Sequence, residues 1–256
     1  MTAVSGALAA SSGRDLRGVV AVAAAVLAGQ LSVGWCNDYV DHDRDRHSNR
    51  QGKPVAAGEI SARTVGVAAV TALLLCVPLS LLSGLLPGLL HIVAVLSAWA
   101  YDIRLKSTAQ SVVPYVVSFG LLPAFIVLGQ PGADGVPAWL VAGAALLGAG
   151  AHFANVLPDL DDDLRTGVRG LPHRLGARVS RILAALLLLA ASVVLAVGPP
   201  GPPGWGGFAA PLIAAAALII GFTLETRTSS RAMFRAVLVV ALLDVALLLM
   251  YGPTLA

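Results

Sequence analysis

Long apolar segments separated by short polar connections dominate the pattern of the 256-residue chain. Most of them have about the 17–25 residues that an α-helix needs to cross a bilayer. The pattern therefore predicts an all-α protein, a polytopic transmembrane helical bundle of about eight helices, over residues 17–36, 62–84, 86–101, 111–130, 137–157, 178–198, 205–223 and 232–252. We interpret residues 1–256 as a single domain in which 1–15 form a loose N-terminal segment.

Composition supports a membrane location. The chain is 57% apolar and 12% charged, whereas soluble domains are about 45–50% apolar and about 25% charged. Much of the apolar mass is alanine, whose small side chain lets helices pack closely in lipid. We therefore predict an integral membrane protein. The net charge of +3 is no argument for a nucleic-acid partner, because membrane topology accounts for the basic residues.

Basic residues are concentrated in four alternate connections, which hold 15 of the 17 Lys and Arg. The positive-inside rule places these connections in the cytoplasm. Arg14, before the first apolar segment, and Arg17, the first residue of that segment, do not fit this assignment. The expected location is the membrane of a bacterial cell, with the active-site loops on the cytoplasmic side.

Two polar clusters repeat one spacing, Asn, three residues, Asp, three residues, Asp. They comprise Asn37, Asp41 and Asp45, and Asn155, Asp159 and Asp163. In a helix, steps of four place side chains on roughly one face. Each cluster lies at the end of an apolar segment, and topology puts both on the same side. We therefore expect a central cavity capped by a charged vestibule on the cytoplasmic side.

The acidic clusters admit three interpretations. A solvated acidic loop leaves the repeated spacing unexplained. A cation or proton path through a transporter is typical of intramembrane acids. A binuclear magnesium site for a diphosphate agrees with the preference of Mg²⁺ for carboxylate and phosphate oxygens. Neighbouring cations, which would neutralise the diphosphate, favour the third interpretation: Arg50, Lys53, Arg104, Lys106, Arg165 and Arg169.

The first cluster, together with Asp38, resembles the NDxxDxxxD motif of the UbiA superfamily of intramembrane prenyltransferases. Residues 49–61 resemble its basic-Pro and Gly-x-Ile-Ser continuation, and 101–106 its Tyr-to-Lys loop. The second cluster resembles the DxxxD motif. Its continuation, 165–176, is most similar to the 1,4-dihydroxy-2-naphthoate prenyltransferase branch. Family members usually have nine membrane helices, and the first of these is missing from the predicted set.

The resemblance implies a Mg²⁺-dependent prenyltransferase, expected to use two ions. It would ionise an isoprenyl diphosphate to an allylic cation and pyrophosphate, and transfer the prenyl group to a lipophilic or aromatic acceptor. The implied catalytic residues are Asp41, Asp45, Asp159 and Asp163, which with Asp38 are the implied metal ligands. The implied diphosphate-binding residues are Asn37, Arg50, Lys53, Tyr101, Arg104, Lys106 and Asn155.

Two alternatives remain open at this point. A terpene cyclase of the same superfamily would share the ionisation machinery and capture the cation with the substrate's own double bonds. Its need for aromatic faces around the cation fits poorly with an aromatic content of 5%. A non-catalytic membrane protein or cation transporter has no use for the basic residues. Expected partners are the donor, the acceptor and membrane lipid, and a homo-oligomer is left open.

Three single residues carry further expectations. Pro158 interrupts the second cluster and predicts a bend just before Asp159. His152 is either a packed, hydrogen-bonded histidine or a residue near the acceptor. Asp244, near the centre of the last segment, is either functional or bonded to a neighbouring helix.

Overall fold

The computed structural model describes residues 1–47, 54–228 and 232–252, and this part of the chain consists of helices and the turns between them. The α-helices are α1 (Thr2–Ser11), α2 (Leu16–His47), α3 (Ala62–Leu81), α4 (Leu85–Ile103), α5 (Val113–Leu128), α6 (Ala138–Val156), α7 (Leu160–Arg165), α8 (Leu171–Val197), α9 (Trp205–Thr228) and α10 (Ala232–Met250). Each of the eight predicted segments is helical, which confirms the all-α prediction.

The N-terminal segment differs from the expectation. Residues 2–11 form α1, which packs on α2, α5 and α10, and Leu8 and Ala9 are 2% and 0% exposed. The expectation of a loose segment is therefore corrected. Although α1 is too short to span a bilayer, burial of one apolar face stabilises even a short helix. The assignment of residues 1–256 to one domain stays a prediction.

The outer surface of the bundle is apolar. Six of the described helices are long and apolar enough to cross a membrane. Large side chains point outward from them, including Leu74, Leu186 and Leu212, which are 66%, 58% and 71% exposed. A soluble monomer rarely exposes apolar surface on this scale. This surface is typical of helices that face lipid.

Small residues bring α6 and α8 into close contact. A Cβ atom at Gly143 would lie 2.7 Å from Leu195 Cδ2, and one at Gly150 would lie 2.7 Å from Leu188 Cγ. Both leucines are buried. Glycine thus lets the backbone of α6 approach the side chains of α8, as expected for helices packed in lipid. This contact fixes the end of α6 that carries Asn155.

Arg14 lies at the opposite end of the bundle from the aspartates, between α1 and α2. Its side chain is buried, and Nη1 donates to Ser83 Oγ at 3.1 Å. The guanidinium also packs against Gly129, where a Cβ would clash with it. Arg14 therefore connects three helix ends, and its charge is buried within the protein.

Asp244 forms a contact between helices. Its Oδ1 accepts a hydrogen bond from Ser192 Oγ at 2.5 Å, and both residues are fully buried. This bond joins α10 to α8. Of the two interpretations offered for Asp244, the structure favours the bond to a neighbouring helix.

Candidate active site

A cavity of about 450 Å³ opens at the end of the bundle that carries both acidic clusters. Helices α2, α4 and α5 contribute to its wall, as do the α6–α7 segment and the start of α8. Polar groups surround the part near the helix ends: Asn37, Asp41, Arg44, Asp102, Lys106, Asn155, Asp159, Asp163 and His173. Further along α2, α4 and α5 the lining becomes mostly apolar, with Val33, Ala98 and Phe119.

The wall formed by α2 follows alternating steps of four and three residues: Gln30, Gly34, Asn37, Asp41 and Arg44. This alternation keeps residues on one face, because a helix has 3.6 residues per turn. Repeated steps of four instead rotate by about 40° each, so Asp45 lies about 80° from Asn37 around the axis. For this reason Arg44, and not Asp45, joins the cavity wall.

Asp41 is the centre of a charged network. Its Oδ2 accepts hydrogen bonds from Arg44 Nη2 at 2.6 Å and from Asn37 Nδ2 at 3.1 Å. Lys106 Nζ donates to Oδ1 from the loop after α4. The Asp41 side chain is only 5% exposed. A carboxylate buried to this degree requires compensating cations and donors, and two elements of the fold supply them.

Asn37 also connects Asp41 to a second carboxylate. Its Nδ2 lies 3.3 Å from Oδ1 of Asp102, which is 3% exposed and belongs to the last turn of α4. One amide therefore donates to two acids on different helices.

The second cluster is not a continuous helix. Helix α6 ends at Val156, a 3₁₀ turn covers Leu157–Asp159, and α7 begins at Leu160. Pro158 lies in the turn, so the predicted bend before Asp159 is confirmed. Despite the bend, Asn155, Asp159 and Asp163 all line the cavity. Asp163 Oδ2 lies 3.3 Å from Nε2 of His173, a residue near the start of α8.

The loop that carries Lys106 packs against the start of α8. Leu171 N–H donates to Ser111 Oγ at 2.8 Å. A Cβ at Gly170 would lie 2.5 Å from the carbonyl oxygen of Lys106 and 2.9 Å from Ser111 Oγ. Only glycine allows this approach. The contact holds Lys106, the partner of Asp41, in a fixed relation to His173, the partner of Asp163.

Aromatic rings form one side of the cavity. Tyr101 and Tyr115 meet edge to face with centroids 5.2 Å apart, and Tyr115 stacks on Phe119 at 6.3 Å. His152 lies behind them, 4.7 Å from Tyr115, and its Nε2 is 3.0 Å from Ser111 Oγ. His152 is thus packed and hydrogen-bonded, in agreement with the first of its two interpretations.

The structure brings seven of the residues named from the sequence to one cavity: Asn37, Asp41, Tyr101, Lys106, Asn155, Asp159 and Asp163. Of the described residues, Asp38 is half-buried and Asp45 buried, and neither is among those that line the cavity. Arg50 and Lys53 lie outside the described residues. Their proposed contacts with a diphosphate stay predictions.

Arg104 departs from its expected place. It follows the last helical residue of α4 with φ −144° and ψ −46°, and its side chain is exposed. The helix directs Tyr101 and Asp102 inward one turn earlier, and the chain then leaves the helical path at Arg104. It returns to the cavity only at Lys106. The structure therefore gives no support to a diphosphate contact by Arg104.

Several cavity residues were not predicted from the sequence, among them Arg44, Asp102, Tyr115 and His173. Arg44 could have been found by following α2 in alternating steps of three and four. Asp102 lies beside Tyr101, a residue already assigned to the site. Tyr115 and His173 belong to otherwise apolar or basic sequence, and nothing in the local pattern marks them.

The donor set suits Mg²⁺ that is shared with a diphosphate. Among the described residues, no three His, Cys, Asp or Glu side chains are grouped closely enough to hold a metal ion by themselves. Mg²⁺ usually keeps waters and binds through one or two carboxylates plus substrate phosphates. Asp41 on one wall and Asp159 and Asp163 on another provide such carboxylates around one space. The residues therefore fit the ion together with its substrate.

The sequence of the chain is similar to those of known proteins. A 4-hydroxybenzoate octaprenyltransferase of Alkalilimnicola ehrlichii is 30% identical over 217 residues, which are 84% of this chain and 73% of that protein. A digeranylgeranylglyceryl phosphate synthase of Methanothermobacter thermautotrophicus is 30% identical over 162 residues, 61% of this chain and 56% of that protein. The chain thus spans about half the length of some curated relatives.

The fold is also that of a known structure. A UbiA homologue from Archaeoglobus fulgidus, solved with GPP and Mg²⁺, superposes with a TM-score of 0.72 at 16% identity. The match covers 99% of this chain and 95% of that one. Residues 1–243 match the UbiA prenyltransferase family. The chain belongs to this family of membrane proteins.

Proposed function

We propose that the protein is a Mg²⁺-dependent intramembrane prenyltransferase. It would cleave the carbon–oxygen bond of an isoprenyl diphosphate, release pyrophosphate and transfer the prenyl group to an acceptor. The observation that carries this proposal is the convergence of both acidic clusters on one cavity that also holds Arg44 and Lys106. Carboxylates and cations around one space suit an anion that binds together with metal ions.

The polar end of the cavity is the proposed diphosphate site. Asp41, Asp159 and Asp163 would hold Mg²⁺, expected as two ions, with Asp38 and Asp45 behind them. Bound Mg²⁺ would stabilise the negative charge that develops on the leaving diphosphate oxygens. Lys106 and Arg44 already point to this space through their bonds to Asp41. As hydrogen-bond donors with positive charge, both can also bind phosphate oxygens.

The aromatic side of the cavity is the proposed site of the allylic cation. A positive charge within about 6 Å of a tyrosine or phenylalanine ring is attracted to the face of the ring. Tyr101, Tyr115 and Phe119 line the cavity beside the acidic groups. The mostly apolar part beyond them keeps water from the cation. A relative that prenylates 4-hydroxybenzoate by its name supports an aromatic acceptor.

The same rings favour a second candidate, a terpene cyclase. Aromatic content is low over the whole chain, yet three aromatic side chains lie together in the cavity. A cyclase needs such faces to guide a cation through successive steps. The low aromatic content of the chain is therefore compatible with a cyclase. The two activities differ in whether an acceptor is required.

One experiment separates the candidates. The purified protein is incubated with Mg²⁺ and geranyl, farnesyl or geranylgeranyl diphosphate, with and without aromatic acceptors, and the products are identified by mass spectrometry. Pyrophosphate release that depends on an acceptor supports transfer. A cyclic hydrocarbon or alcohol formed without an acceptor supports cyclisation. If no donor releases pyrophosphate, neither enzymatic function is correct.

Three finer points belong to the same proposal. The distribution of basic residues supports a cytoplasmic location for the open end of the cavity. The sequence after the second cluster supports a naphthoate-type acceptor. A homo-oligomer would be found by measuring the mass of the purified protein in detergent.

A further inference from the structure

His173 contacts an acid of the second cluster from outside the sequence motif. Its Nε2 lies 3.3 Å from Asp163 Oδ2, and the two side chains are 2% and 16% exposed. Both residues line the cavity. Asp163 belongs to α7, a helix of six residues followed by a turn at Gly167 with φ +85°. A carboxylate on so short an element needs an external contact to hold one orientation.

The backbone around His173 is fixed on two sides. On one side, Leu171 N–H bonds to Ser111, and Gly170 packs against the carbonyl of Lys106. On the other side, the carbonyl of Pro172 accepts a hydrogen bond from Ser180 Oγ at 3.0 Å. The imidazole is therefore attached to a rigid part of the fold. It can impose its position on Asp163.

The chemistry of the contact defines the role of each ring nitrogen. An ionised carboxylate only accepts hydrogen bonds, so Nε2 must carry the proton in this contact. Nδ1 is buried and makes no hydrogen bond to the described part of the chain. The imidazole therefore acts on the site through Nε2 alone. Partners of this kind orient metal-binding carboxylates, and their loss typically lowers metal affinity about 10- to 100-fold.

We propose that His173 is a positioning residue that holds Asp163 in the orientation needed to bind the Mg²⁺–diphosphate complex. The inference rests on the proposed function. It adds to the motif a donor that lies ten residues after Asp163. Asn37 has the corresponding task on the opposite wall, where it donates to Asp41. Each acidic cluster would then have one hydrogen-bond donor that orients a metal-binding carboxylate.

The test compares two side chains that differ by one methylene group. In His173→Gln the amide nitrogen can take the place of Nε2, whereas in His173→Asn it stops near the position of Nδ1, too far from Asp163. Binding of Mn²⁺ in the presence of inorganic pyrophosphate is followed through the loss of the free-ion EPR signal. We expect the asparagine variant to bind Mn²⁺ about 10- to 100-fold more weakly, and the glutamine variant to stay within about threefold of the parent protein.

His42 offers a matched control. Its Nε2 lies 3.2 Å from Asp43 Oδ1, which makes it a second His–Asp contact, but outside the residues that line the cavity. His42→Asn should leave Mn²⁺ binding unchanged. Thermal unfolding in detergent establishes that each variant is folded. If His173→Asn does not fold, Mn²⁺ binding is compared between His173→Gln and His173→Leu instead.

A double-mutant cycle tests whether His173 acts through Asp163. In an Asp163→Asn background, the substitution of His173 should have no further effect on Mn²⁺ binding, because the two residues would act as one unit. Additive effects would contradict the proposal. So would parental Mn²⁺ affinity in folded His173→Asn, or equal weakening by glutamine and asparagine. If the parent protein itself binds no Mn²⁺ with pyrophosphate, the proposed function fails, and the positioning role fails with it.

Discussion

The substitution Gly170→Ala tests whether the contact between the loop that carries Lys106 and the start of α8 keeps the two walls of the cavity correctly positioned. In Gly170→Ala, the new Cβ would lie 2.5 Å from the carbonyl oxygen of Lys106. An ordinary carbon–oxygen contact is about 3.3 Å or longer, so the two segments must separate by about 0.8 Å. The opposing atom belongs to the backbone, and a rotamer change cannot relieve the clash. Overpacking of this kind typically costs about 1–3 kcal/mol of stability.

The larger effect should fall on turnover. Lys106 contacts Asp41, and the segment after Gly170 carries His173. When the loop that carries Lys106 and the segment at Gly170 move apart, groups on both walls of the cavity are therefore displaced. A misplacement of about 1 Å can cost a factor of about 100 in rate. The assay is the initial rate of pyrophosphate release at saturating donor and Mg²⁺, with thermal unfolding in detergent measured in parallel. We expect a rate loss near this factor in a protein that is still folded.

The matched control is Gly135→Ala. Gly135 lies in the connection between α5 and α6, and a Cβ there would meet nothing within 4 Å. Its rate and unfolding temperature should equal those of the parent protein. If Gly170→Ala is as active as Gly135→Ala, the segments do not constrain the site and the reasoning is refuted.

Three further predictions concern single side chains. Asp41→Asn should abolish turnover while membrane insertion stays normal, because Asp41 holds Lys106 and Arg44 in place. Activity at the parental level in a membrane-inserted variant would contradict the assignment of Asp41 to the site. Lys106→Met should lower kcat/KM about 10- to 100-fold, which corresponds to the loss of a hydrogen bond to a charged group. Arg104→Met, at an exposed position, should change kcat/KM less than about twofold. The reverse ranking in steady-state kinetics would contradict the assignment of Lys106. Asp244→Leu should lower stability by about 0.6 kcal/mol and at most about 1.7 kcal/mol, with turnover unchanged; an inactive but stable variant would show that Asp244 has more than a structural role.

The helices were predictable because their signal is local. Each predicted segment is a long apolar run that ends at a polar or turn-forming connection. Pro158 predicted its bend for an equally local reason, the missing backbone donor. Helix α1 was missed because its stability comes from the neighbours that bury Leu8 and Ala9. The sequence around α1 does not show these neighbours, because α5 and α10 lie far from it along the chain.

The site was predictable where motif and helix geometry agree. Asn37 and Asp41 satisfy both, whereas Asp45 satisfies the spacing but has rotated away from the cavity wall. His173 and Arg104 show the limit of sequence reasoning from opposite directions. His173 joins the site because Gly170 brings the start of α8 against another loop. Arg104 leaves it because α4 ends at the residue before it, Ile103. Both outcomes depend on tertiary packing.

The central claim is that the two acidic clusters form one site for a diphosphate and Mg²⁺. It is tested most directly by calorimetric titration of pyrophosphate into the parent protein, Asp41→Asn, Asp159→Asn and the double variant, with and without Mg²⁺. We predict binding that requires Mg²⁺, that is weakened at least about tenfold by either substitution, and that falls little further in the double variant, because residues in one network are not additive. Pyrophosphate binding that is independent of Mg²⁺, or effects that simply add, would show that the clusters act separately and would contradict the claim.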